Sequence, residues 1–98
     1  MVEEPEERKL LQLSGVVDYA SVVEQRQRLA GLISATASHK LVIDLGDIKV
    51  RGAVVIALLI SLVRESRKVQ KELRFQNCPD HLRAVASACG VADILPLD

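Results

Sequence analysis

Few side chains in this sequence are of types that do chemistry, and their spacing assembles no familiar constellation. His39 lies in a polar stretch and His81 at the expected start of a helix. Neither has a nucleophile near it in sequence, and both read as solvated. Asp44 and Asp47 flank a loop that follows a short apolar run, where open α/β sheets often hold ligands. Aspartates there also cap loop backbone, and that is the role expected of this pair. Gly46 and Gly52 fit neither a phosphate-cradling GxxxxGKS/T loop nor GxGxxG. Cys78 and Cys89 lack the CxxC spacing or neighbouring histidine pair of a zinc site and read as reduced, semi-buried small side chains. Glu3, Glu4, Glu6 and Glu7 form a solvated acidic run. The expectation is no catalytic residue, no metal, no cofactor and no enzymatic activity.

The strongest feature is apolar. From Ala53 to Val63 the only polar side chain is Ser61, and the run stops at Arg64-Glu65-Ser66-Arg67-Lys68. It is too short to cross a bilayer, which takes about 20 apolar residues. With no Gly or Pro up to about Gln70 it is too long for a strand, so a helix is expected. At about 100° per residue, Val55, Leu58, Leu59, Leu62, Ser66 and Val69 share the face assigned to a sheet. Ala53, Ala57, Ile60 and Arg64 fall opposite, with Val54 and Ile56 flanking them. An outward face that is small and apolar over two turns, rimmed by Arg51, Arg64, Arg67 and Lys68, points to a partner surface.

Other elements must position this helix. Residues 1–8 are acidic and patternless and read as a flexible tail ahead of one domain, 9–98. Leu10 to Leu13 reads as a strand, with a turn at Ser14-Gly15 and a hairpin return through Val16-Val17. Ser21-Val22-Val23-Glu24 matches a capping box opening a helix to about Ser34, with Val22, Leu29, Leu32 and Ile33 on one face. Leu41-Val42-Ile43, ending in Asp44, suits a buried central strand, followed by a loop from Leu45 to Arg51. Leu73 to Asn77 alternates as a half-buried strand. Pro79-Asp80-His81 opens a last helix that Gly90 ends, and Ile94 and Leu95 dock as an apolar tail. Repeated strand–helix alternation implies a largely parallel sheet with helices packed on it.

Composition excludes several classes. Thirteen basic residues balance thirteen acidic ones, and the aromatics are Tyr19 and Phe75 alone. Nucleic-acid binding needs a basic surplus, or stacking platforms for single strands, and the chain has neither. The core must be aliphatic. MVEEPEERK has no apolar segment of a signal peptide, and a cytoplasmic protein is expected.

Leu41-Val42-Ile43-Asp44-Leu45, a short loop, and a small-residue helix start at Gly52-Ala53 resemble STAS domains. So do Leu13-Ser14-Gly15 with Asp18, and Asn77-Cys78-Pro79-Asp80-His81-Leu82 entering a helix. The resemblance runs over roughly residues 9–97. It implies a single α/β domain with about four strands in a mostly parallel sheet, helices mainly on one face, and protein binding in place of catalysis. In the anti-sigma factor antagonists of this family, the serine of an Asp-Ser pair before the second helix is phosphorylated by a partner kinase. Here that pair falls on Gly52-Ala53. Ala53 has no hydroxyl, and Ser61 and Ser66 lie too far along to replace it. The small STAS subunit of the Mla phospholipid ABC transport system is the better match, and Gly90 to Leu97 resembles its C-terminal end.

The resemblance thus implies a subunit that binds the transporter's ATPase at the inner membrane and supports outer-membrane lipid asymmetry. The partner-binding residues expected are Arg51, Gly52, Ala53, Ile56, Ala57, Ile60 and Arg64. The alternatives are a non-phosphorylatable antagonist binding an anti-sigma kinase, a small-ligand or lipid-binding domain, and a homodimer formed through the same helix.

Overall fold

The structure is a computed structural model that describes residues 9–50, 53–91 and 95–96. The acidic tail, Arg51, Gly52 and Ile94 lie outside the described residues. The elements run β1 Lys9–Gln12, β2 Gly15–Val17, α1 Val22–Ala35, β3 Lys40–Asp44, β4 Ile48–Val50, α2 Val54–Lys68, β5 Glu72–Gln76 and α3 Asp80–Ala88. β1, β3 and β5 form a parallel sheet with β3 in the middle, and β2 and β4 form a separate parallel pair. The α/β class and the parallel pairing are as expected. Among the described residues there are five strands, in two small sheets, where about four in one sheet were expected.

The difference comes from two bends. Past Gln12 and past Asp44 the neighbouring strands turn together and go on pairing, as Leu13 N–H donates to the Asp44 carbonyl and Gly15 N–H to that of Asp47. Gln12 faces Asp44 but Gly15 faces Ile48, so residues 13–14 stand against residues 45–47. That is a one-residue bulge, which bends a strand pair. The expected hairpin is therefore not formed: Val16 and Val17 lie in β2, which pairs in parallel with β4 and not with β1. Gly15, at φ +82°, takes the left-handed conformation at the bend.

α1 also starts differently from expectation. Ser21 makes no side-chain cap. Its hydroxyl donates to the Val16 carbonyl and accepts from Asp18 N–H, while Asp18 Oδ1 accepts from the N–H groups of Ala20 and Ser21, both at 3.0 Å. Asp18 thus ties the turn to the end of β2. The helices α2 and α3 close as expected of their ends. Past α2, Lys71 N–H reaches the Ser66 carbonyl and Gln70 N–H that of Arg67; past α3, Val91 N–H reaches Ala86 and Gly90 N–H reaches Ser87. Both are Schellman closures. Gly90 (φ +72°) fills the left-handed position after α3 and Gln70 (φ +58°) the one after α2.

Leu11, Leu41, Ile43, Leu73 and Phe75 point from the main sheet into a core closed by Leu29 and Ile33 of α1 and by Val55, Leu59 and Leu62 of α2. On the other sheet face Leu10, Val42 and Arg74 stand in register; Leu10 and Arg74 are exposed while Val42 is buried. The main core and both long helices thus lie on one face. Leu95 is buried, and Phe75 N–H donates to the Pro96 carbonyl, so Leu95 and Pro96 dock beside β5. Leu32 departs from its assigned face and is 40% exposed.

Candidate functional site: the outer face of α2

α1 and α2 both return from the C-terminal ends of parallel strands, so they run parallel to each other. Arg26 of α1 donates to Ser61 Oγ at 2.6 Å and pairs with Glu65 at 3.4 Å, which fixes their register. One side of α2 is thereby given to α1 and another to the sheet. What remains open is a narrow stripe. Ala53, Ala57 and Arg64 are exposed on it, and Ile60 is partly buried and packed against the core.

Ile56 corrects the expected partner set. It is only 5% exposed and belongs to the core. The buried residues from Val54 round to Ile56 cover about 200° of the helix, so a residue flanking the stripe is already inside. Arg51 and Gly52 lie outside the described residues.

The loop before α2 is held by Asp44. Its Oδ1 accepts from Gly46 N–H at 2.8 Å and from Asn77 Nδ2 at 3.2 Å. The Gly46 bond above all, with that from Asn77, holds the carboxyl below its ordinary pKa. A Cβ on residue 46 would stand 3.1 Å from that oxygen, so the close turn uses glycine. Asp47 Oδ2 accepts from Gln12 Nε2 at 3.2 Å. Asp44 therefore caps the loop backbone, as the sequence suggested, whereas the Asp47 carboxylate takes the Gln12 side chain at the end of β1.

The histidines do not meet. His39 precedes β3 and His81 follows β5, so they stand at opposite ends of the parallel sheet, and both are exposed. Cys78 is partly buried, which pushes its thiol pKa up, whereas Cys89 is exposed and not semi-buried. Among the described residues no three His, Cys, Asp or Glu side chains are grouped to hold a metal, and no helix is long and apolar enough to cross a membrane. A hollow of about 210 Å³ opens between Val63, Ser66, Arg67, Lys71, Glu72, Leu73 and Pro96. It is smaller than a usual ligand pocket and bordered by three charged residues, which gives no support to a lipid-binding domain.

Sequence reasoning missed two exposed apolar side chains, one in the turn before α1 and one in the first turn of that helix. Tyr19 and Val23 are 86% and 61% exposed. Val23 lies a turn before Arg26, as Ala57 lies a turn before Ser61, so the register sets Val23 on the level of Ala57. The signal for Val23 was negative: it falls off the buried face of α1.

A family profile described as "Mlab, STAS domain" matches residues 1–96. The chain belongs to this family of STAS domains. Among solved structures it is similar to a chain of the Acinetobacter MlaFEDB complex in an ATP-bound conformation, at 25% identity and a TM-score of 0.79, over 91% of this chain and 93% of that one. It shares its fold with the anti-sigma factor antagonist SpoIIAA in its unphosphorylated form, at 16% identity and a TM-score of 0.71, over 99% of this chain and 84% of that one. The same holds for a sulfate transporter family protein from Wolinella succinogenes, at 13% identity and a TM-score of 0.70, over 92% and 75%. A search of curated proteins finds no match.

Proposed function

We propose that this chain is a non-catalytic subunit that docks on the ATPase of a phospholipid-transporting ABC system and supports it, working at the cytoplasmic side of the inner membrane in the upkeep of outer-membrane lipid asymmetry. The observation that carries this reading is the stripe of Ala53, Ala57, Ile60 and Arg64, left open on α2 while the rest of that helix is turned to the sheet and to α1. The Mlab family profile and the likeness to a chain of an ATP-bound MlaFEDB complex support it. The apolar stripe supplies burial and Arg64 sets orientation at its rim.

A second reading, an anti-sigma factor antagonist that binds a kinase, rests on the fold shared with SpoIIAA. It has to work without phosphorylation, since Ala53 carries no acceptor oxygen.

Ala57→Glu is the cleanest test. Ala57 is exposed and Glu is a good helix former, so the fold should lose less than about 0.5 kcal/mol. A tagged wild-type chain should recover an ABC ATPase and its permease from native lysate, identified by mass spectrometry, and Ala57→Glu should lose them at an unchanged melting temperature. Recovery of an anti-sigma kinase in their place would establish the second reading. Ile60→Asp is a weaker tool, because Ile60 also packs on the core and the change costs stability of its own.

A further inference from the structure

Beyond Ile60 the outer surface of α2 changes character. Arg64, Arg67 and Lys68 follow within five residues. Arg64 and Arg67 are exposed, and among the described residues neither makes an ion pair. Lys68, with its side chain 70% exposed, reaches Glu65 at 3.3 Å, and the same carboxylate oxygen is taken at 3.4 Å by Arg26. Arg26 and Lys68 therefore share one carboxylate while Arg64 and Arg67 take none among the described residues, on a chain whose formal net charge is zero. Arg67 and Lys68 sit in the last turn, where cations complement the helix dipole. Arg64 lies a turn earlier, where that benefit has faded, and it continues the line of Ala53, Ala57 and Ile60.

We infer that this surface takes an acidic segment of a protein partner, laid along α2 with small or apolar side chains over Ala53 and Ala57 and carboxylates over Arg64 and Arg67. The inference rests on the docking face proposed above and names what the partner must present there. Charge complementarity selects this occupant, because unpaired guanidinium groups match carboxylates with two parallel N–H donors. An anionic membrane fits less well. Interfacial helices insert Trp, Phe or Leu from their apolar side, whereas this stripe offers two alanines and an isoleucine already packed on the domain's own core. A second copy of the chain fits less well too, since its matching stripe brings the same surplus of cations and only the shared Glu65.

The test uses the purified full chain and the purified ATPase subunit. Affinity is measured for wild type, Ala57→Glu, the pair Arg64→Glu with Arg67→Glu, and a control pair of equal charge change, Lys9→Glu with Arg83→Glu, between about 50 and about 300 mM NaCl. The expected result is a loss of roughly tenfold or more for the α2 pair at low salt, with wild-type binding weakening as salt rises and the control pair behaving as wild type. Salt-insensitive binding that the α2 pair leaves unchanged, while Ala57→Glu abolishes it, overturns the acidic-segment inference and leaves the docking reading standing. If the wild type does not bind the ATPase, the docking reading fails and the same variants are titrated with a labelled Glu/Leu peptide and with phosphatidylglycerol vesicles. Peptide binding lost in the α2 pair then supports an acidic protein partner. Binding to vesicles alone, or to neither probe, overturns it.

Discussion

Asp44 is the side chain on which the approach to α2 turns. One oxygen holds Gly46 N–H and Asn77 Nδ2, joining the loop after β3 to the end of β5. Both bonds favour the charged form, which is why the carboxyl stays below its ordinary value of 3.8. A carboxyl depressed in the folded state stabilises the fold fully above the unfolded-state pKa. That contribution is lost as pH falls below about 3.8 and through the folded-state pKa. Wild type should therefore melt above Asp44→Asn at neutral pH, with the gap closing as the pH is lowered towards 3. Melting curves at several pH values check this, and a gap independent of pH would show that the charge plays no part. The role of Asp44 was legible from its place after an apolar run, because short carboxylates at strand ends cap loops. For Val23 the sequence showed only that it falls off the buried face of α1; its level along α2 was not legible, since that depends on where α1 lies against α2.

At the scale of elements, α2 is the piece the sequence displayed best and the structure refined most. Length and the absence of Gly and Pro identified the helix, and its period separated Leu59 and Leu62 from Ala57 and Arg64. Ile56 escaped because a wheel shows direction and not how far neighbours reach round the helix. β4 escaped for a related reason: Ile48-Lys49-Val50 is a strand only because β2 lies beside it, and no local pattern announces a partner 33 residues away. The capping box was a true motif put to another use, with Ser21 turned back onto Val16. The α2 terminus yields a prediction from the same logic. Gln70 holds φ +58°, a conformation that costs a side chain about 1 kcal/mol and glycine almost nothing. Gln70→Gly should therefore stabilise the domain by about 0.5 kcal/mol, the gain at the cap being partly offset by a more flexible unfolded chain. Urea denaturation reads the change as a higher midpoint at constant slope.

For the whole molecule, the question is how a core with so few aromatics holds a docking face in place. Phe75 is the one aromatic in the core. It is fully buried, stands opposite Ile43 in the central strand, and its N–H donates to Pro96. Lys71, just before the same strand, donates from Nζ to the carbonyls of Ile33 and Thr36 at the end of α1. β5 is thus where the sheet, the helix layer and the segment Leu95-Pro96 are joined, across the core from the outer face of α2. Truncating Phe75 to Ala should cost about 3–5 kcal/mol, a large share of the roughly 5–15 kcal/mol that keeps a domain folded. Phe75→Leu keeps most of the volume and should cost about 1–1.5 kcal/mol, which leaves the domain folded. This variant should have a lower urea midpoint and unchanged partner affinity, since no contact on the outer face of α2 is touched. Ala57→Glu should do the reverse, keeping its midpoint and losing the partner. If Phe75→Leu weakens binding as much as Ala57→Glu does, then the core and the docking face are one cooperative unit, and loss of binding in Ala57→Glu no longer locates the interface.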